Sequence, residues 1–84
     1  MRRYDFTPEA HRQLKKLSPE IARFIVRKLD YFISIENPLN LASRLADFDI
    51  GEYRFRAGDY RIIFDVIEDA IVIHAVGHRR EMYK

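Results

Sequence analysis

The sequence predicts a small α+β domain of order β-α-α-β-β-β, a helical hairpin packed on one face of a largely antiparallel sheet. Three observations carry that expectation. Apolar residues in the first half recur at helical spacing behind two hydroxyl-Pro-Glu starts. From Glu52 the period changes to two, as in a half-buried strand. Gly58-Asp59 and Glu68-Asp69 then cut the second half at tight turns. The 84 residues, 1–84, read as one domain, because cores divide only in much longer chains.

Arg2 to Phe6 reads as an opening strand with Tyr4 and Phe6 on one face. Thr7-Pro8-Glu9 starts a helix: a capping hydroxyl, a proline at the first helical position and an early acid. Ala10, Leu14 and Leu17 follow at i, i+4 and i+7. Ser18-Pro19-Glu20 repeats the start signal. The second stripe is Ile21, Phe24, Ile25, Leu29, Phe32 and Ile33, with Arg23, Arg27 and Lys28 off it. Asn37-Pro38 ends this helix, since proline disfavours helical geometry in the residue before it. Residues 39–51 connect the halves, with a short helical turn expected around Leu41 to Leu45. Tyr53, Phe55 and Ala57 alternate with Arg54 and Arg56, and Tyr60 to Ile67 and Ala70 to Val76 are the strands that follow.

Composition narrows the function classes. At 48% hydrophobic and 13% aromatic, the chain has the apolar content that disordered segments lack. Its longest apolar runs, such as Tyr31 to Ile35 and Ala70 to Ile73, are far shorter than the roughly 18–20 residues of a membrane span. Met1 to Phe6 has the positive charge of a secretory leader but no apolar stretch behind it. The absence of cysteine excludes disulfides, thiolate zinc and cysteine nucleophiles, and fits a reducing compartment, read here as the cytoplasm. A net charge of +2 permits a nucleic acid partner without demanding one, so the placement of the arginines matters more than their number.

If Gly58-Asp59 is a two-residue loop, cross-strand partners have numbers summing to 117. Ala57 then faces Tyr60, Phe55 faces Ile62 and Tyr53 faces Phe64, all on the helix-covered side. The same register sets Arg56 opposite Arg61 on the other side, with Arg54 two residues away. Like charges opposed across a ladder cost roughly 0.2–1 kcal/mol, and a bound anion relieves that cost. The plain alternative is a solvated sheet face with splayed side chains. As a site residue Arg61 is expected to be exposed, so that Arg61→Ala removes toxicity while costing less than about 1 kcal/mol of stability.

The tail Gly77-His78-Arg79-Arg80-Glu81-Met82-Tyr83 brings an imidazole, two guanidiniums and a phenol close to the last strand. Such groups contact phosphate, move protons or stack on bases; the alternative is a polar tail with an aromatic anchor. Gly77 is a candidate bulge, which leaves open whether His78 or Arg79 joins the arginine patch. His74 and His78 are four apart, roughly 13 Å along a strand, too far for one metal ion. No metal site is expected. His11 reads as exposed, the spacing of Asp47, Asp49 and Glu52 identifies no carboxylate pair, and no phosphate loop or serine-hydrolase motif is present.

Tyr53-Arg-Phe-Arg-Ala-Gly-Asp-Tyr-Arg-Ile-Ile-Phe64, followed by Ile71-Val-Ile-His-Ala-Val-Gly-His-Arg-Arg-Glu-Met-Tyr83, resembles the RelE/ParE superfamily of bacterial and archaeal toxins, with the RelE branch nearer. The opening strand and the Thr-Pro-Glu-Ala helix with Leu14-Lys-Lys-Leu17 also fit, so the likeness spans nearly the whole chain. It implies a cofactor-free, metal-independent, ribosome-dependent endoribonuclease that cuts messenger RNA in the A site and is neutralised by a cognate antitoxin. The RNA 2′-hydroxyl would attack the adjacent phosphate, leaving a 2′,3′-cyclic phosphate and a 5′-hydroxyl.

By position, the resemblance implies that Arg54 and Arg56 are basic RNA contacts and that Arg61 binds the phosphate. Arg79 would stabilise or protonate the leaving group, and Tyr83 would orient or stack on RNA. Arg80 joins the RNA-binding set. Some active relatives carry lysines where this chain has Arg54 and Arg56. Arginine stays charged at every working pH, so it stabilises a phosphorane but makes a poor base. His78 is therefore the candidate acid or base, imidazole being the side chain that changes charge near neutral pH. Two alternatives share the fold: a ParE-like poison of DNA gyrase, and an inactive relative that only binds its antitoxin.

Overall fold

Thr7 and Ser18 cap the two main helices as their sequences predict. The computed structural model describes residues 3–35, 39, 42–44 and 53–82. Thr7 Oγ1 accepts from the Ala10 amide at 3.2 Å and Ser18 Oγ from the Ile21 amide at 3.3 Å. Each supplies a partner to an amide that the first helical turn leaves without one. Pro8 and Pro19 open helices α1 (Pro8–Lys16) and α2 (Pro19–Ser34). The stop expected at Asn37-Pro38 lies outside the described residues.

Strand β1 (Arg3–Phe6) precedes the helices; β2 (Ala42–Arg44), β3 (Tyr53–Ala57), β4 (Tyr60–Ile67) and β5 (Ala70–His78) follow, and the chain turns into a short helix α3 (Arg79–Met82). The sheet order is β1-β5-β4-β3-β2, with β1 parallel to β5 and every other pairing antiparallel. This is the predicted α+β fold with two additions. Residues 42–44 form a strand on β3, correcting the helical turn expected around Leu41 to Leu45; backbone pairing to an open sheet edge needs no side-chain period. The last strand runs two residues past Val76, and residues 79–82 are helical.

Phe32 from α2 lies 4.2 Å from the Phe55 ring and meets Phe64 edge-on at 5.6 Å, while Tyr53 stacks on Phe64 at 5.5 Å. Ala10, Leu14, Ile25, Leu29, Ile62, Ile71, Ile73 and Val76 complete this buried layer between helices and sheet. Burial of each large side chain contributes about 1.5–3 kcal/mol. Tyr4 Oη donates to Asp30 Oδ1 at 2.7 Å, tying β1 to α2. Burial, and then the bond to Asp30, push the Tyr4 phenol up to about 12. The opposite sheet face carries the charged residues.

Candidate functional site: an arginine face anchored on a hairpin

The β3–β4 hairpin has the predicted register: Tyr53 pairs with Phe64, Arg54 with Ile63, Phe55 with Ile62, Arg56 with Arg61 and Ala57 with Tyr60. Gly58 supplies the positive φ of 61° that a two-residue hairpin turn requires. Alternation then puts Arg54, Arg56, Arg61 and Ile63 on the face away from the helices. Arg56 is exposed and Arg54 half-buried, whereas Arg61 is only 8% exposed, which corrects its reading as a solvated side chain. The guanidinium folds back over the turn. Arg61 Nη1 donates to the Gly58 carbonyl at 2.8 Å and the Tyr60 carbonyl at 3.0 Å. The opposed pair thus resolves its repulsion unequally, Arg61 settling on carbonyl dipoles while Arg56 remains exposed.

The tail meets the same turn. The Arg79 amide donates to the Asp59 carbonyl at 2.8 Å, and Arg79 Nε lies 3.8 Å from Asp59 Oδ1. Arg61 and Arg79 are therefore both fixed on residues 58–60, and Asp59 is an organiser that sequence reasoning passed over as a turn residue. Met82 folds over Gly77: a Cβ at Gly77 would lie 2.9 Å from Met82 Sδ, so glycine permits the close approach. Gly77 pairs with Arg61, and the tail packs where its side chain would be.

His78 pairs with Tyr60 and meets its ring edge-on at 5.4 Å, so strand parity places it on the helix side, opposite Arg61. Its Nδ1 accepts from the Arg80 amide at 3.1 Å, capping α3. Arg79 and Arg80 are exposed. Tyr83, Asp47, Asp49 and Glu52 lie outside the described residues.

The sheet contains its register shift at His74, not at Gly77: Ile63 pairs with Ala75 and the next residue, Phe64, pairs with Ile73. His74 Nε2 lies 2.9 Å from Asp65 Oδ2. Sequence reasoning weighed His74 only as a metal ligand. Among the described residues no group of three or more His, Cys, Asp or Glu is placed to hold a metal, and no helix is long and apolar enough to cross a membrane.

A basic sheet face turned away from a helical hairpin, with a terminal helix tied to the arginine-bearing turn, matches the toxin fold of the RelE/ParE superfamily. A chain of the RelBE2 toxin-antitoxin complex of Mycobacterium tuberculosis superposes with a TM-score of 0.79 at 30% identity, covering 93% of this chain and 98% of its own. A chain of the archaeal RelE-RelB complex from Pyrococcus horikoshii gives 0.71 at 22% identity, over 95% and 97%. One from the RelB-RelE complex of Methanococcus jannaschii gives 0.65 at 26%, over 93% of each chain. The family model described as the ParE toxin of type II toxin-antitoxin systems, parDE, matches residues 4–83, and the chain belongs to that family. A search of curated proteins finds no match. The family model is thus of the ParE type and the solved neighbours of the RelE type, both within the one superfamily.

Proposed function

We propose that this toxin-family chain is a ribosome-dependent endoribonuclease that cleaves messenger RNA in the A site and is held in check by a cognate antitoxin in the cytoplasm. The observation that carries the reading is the convergence of Arg54, Arg56 and Arg61 on one sheet face, with Arg79 fastened to the turn that holds Arg61. A phosphodiester bound there meets preorganised cations. As the 2′-oxygen attacks, charge builds on the non-bridging oxygens of the phosphorane, where fixed guanidiniums stabilise it most. Arg54 and Arg56 align the backbone, Arg61 grips the phosphate and Arg79 faces the departing 5′-oxygen. Arg80 and Tyr83 hold flanking RNA, whereas His78, on the helix side of the sheet and capping α3, stands away from the phosphate held by Arg61 and is left out of the proton transfer. The chemistry assigned to these residues calls for no cofactor.

The antitoxin is expected to cover the basic face or displace the tail, and the three solved neighbours described above, each a toxin-antitoxin complex, support such a partner. The ParE family model favours a second reading, poisoning of DNA gyrase. Primer extension on translated messages after induction decides between them. Cuts at A-site codons support the nuclease, DNA damage with intact messages supports gyrase poisoning, and unimpaired growth with retained antitoxin binding marks an inactive relative.

A further inference from the structure

On the arginine face, the β-bulge in β5 creates an acid-imidazole pair that the reading above does not use. Up to Ala75, partners on β4 and β5 have numbers summing to 138; beyond it they sum to 137. Without the shift, His74 would pair with Phe64 and point into the core. The bulge gives that place to Ile73, which is fully buried, and turns His74 to the face away from the helices. There its Nε2 meets Asp65 Oδ2 at 2.9 Å, with the two side chains 31% and 36% exposed. Both are open to a ligand.

The pair adjoins the arginines. Ile63 lies between Arg54 on β3 and Ala75 on β5; His74 is next to Ala75, and Asp65 is two residues beyond Ile63 on the same face. Ile63 itself is covered, and Arg54 and His74 stand on the strands to either side of it, about two spacings of 4.8 Å apart, so one phosphodiester lying above β4 is within reach of both side chains. Among the described residues, the charged groups sharing this part of the face are Asp65 on β4, Arg54 on β3, and Asp5 with Arg3 on β1, where Arg3 Nε and Asp5 Oδ2 are 3.4 Å apart. The main helices pack on the other face.

We infer that His74, oriented by Asp65, is the proton-transfer group of this site, an inference that rests on the nuclease reading. With Nε2–H donating to Asp65, Nδ1 is the basic nitrogen. It takes the 2′-hydroxyl proton as the O2′–P bond forms and the P–O5′ bond breaks. Water gives a proton to the departing 5′-oxygen, and the hydroxide left behind takes the proton from the imidazolium. The products are the 2′,3′-cyclic phosphate and the 5′-hydroxyl. The arginines, permanently charged, stabilise the phosphorane but cannot take that proton.

The test is single-turnover cleavage of a defined message on programmed ribosomes between pH 5.5 and 8.5, with wild type, His74→Gln, Asp65→Asn and His78→Gln. Wild type should accelerate with pH to a plateau. His74→Gln, which keeps a polar partner for Asp65, should lose that limb and slow by roughly 10²–10⁴-fold, the usual yield of general acid–base catalysis. Asp65→Asn should be slower but keep the limb, and ring ¹⁵N shifts should show loss of a single preferred His74 tautomer. Thermal melts should stay near wild type, since a half-exposed pair that water reaches contributes little stability. A limb that survives His74→Gln, or that disappears only in His78→Gln, overturns the inference while leaving the nuclease intact. A folded wild type that leaves the message whole on these ribosomes overturns the nuclease reading itself, and this inference with it.

Discussion

Arg61→Ala measures the bargain the hairpin strikes between like-charge repulsion and carbonyl capture. The side chain is 8% exposed, and its Nη1 donates at 2.8 and 3.0 Å to the carbonyls of Gly58 and Tyr60. A bond from a charged donor contributes roughly 1.5–3 kcal/mol, less where water can reach the freed acceptor, as at exposed Gly58, so about 1 kcal/mol each is a fair value here. Relief of the repulsion from Arg56 returns roughly 0.2–1 kcal/mol. The net loss is about 1–2 kcal/mol, or about 4–16 °C in Tm for a domain of this size. Urea unfolding of Arg61→Ala, Arg56→Ala and the double variant isolates the terms. Arg56→Ala alone should stabilise by a few tenths of a kcal/mol or more, and that gain should vanish in the Arg61→Ala background and shrink in high salt. An Arg61→Ala loss below about 0.5 kcal/mol, or strictly additive variants, refutes this account of the pair.

Three other substitutions probe the tail, the first strand and a turn. Gly77→Ala pushes Met82 off its seat, since the new Cβ would lie 2.9 Å from a flexible Sδ; stability should fall by less than about 1 kcal/mol while amide exchange at 79–82 rises. Tyr4, raised to about 12 from 10.0, favours the folded state fully below pH 10 and loses that contribution as pH climbs through 12; Tyr4→Phe should flatten this alkaline limb in pH-dependent unfolding. Glu68 holds a φ of 54°, a region glycine enters freely, so Glu68→Gly should raise stability by up to about 1 kcal/mol in thermal melts.

Legibility tracked how local the physics is. Ser, Thr and Pro announce helix starts through bonds within one turn, and Gly58-Asp59 fixed a register of five residue pairs because a two-residue loop leaves a single choice. The bulge at His74 left no mark, because the residues on both sides of it, Ala70 to Ile73 and Ala75 to Val76, are apolar in either parity, and the pairing of buried Ile73 with Phe64 decides where parity switches. β2 was missed because three residues on an edge show no period. Arg61 was assigned to the correct face and the wrong environment: alternation gives direction, while capture by turn carbonyls is a tertiary event. The same limit hid Asp59 as the anchor of Arg79 and left His78, across the sheet from Arg61, beyond the reach of pattern.

The central claim is that the arginine face performs phosphoryl chemistry on RNA, and the termini of the product test it most directly. Purified chain is added to ribosomes carrying a defined message with the A site open, and the fragments are resolved by end chemistry. The account predicts one cut in the A-site codon, leaving a 2′,3′-cyclic phosphate upstream and a 5′-hydroxyl downstream, with Arg61→Ala inactive at matched folded concentration. An intact message beside trapped gyrase–DNA cleavage complexes in a parallel reaction, or full activity in folded Arg61→Ala, would contradict it.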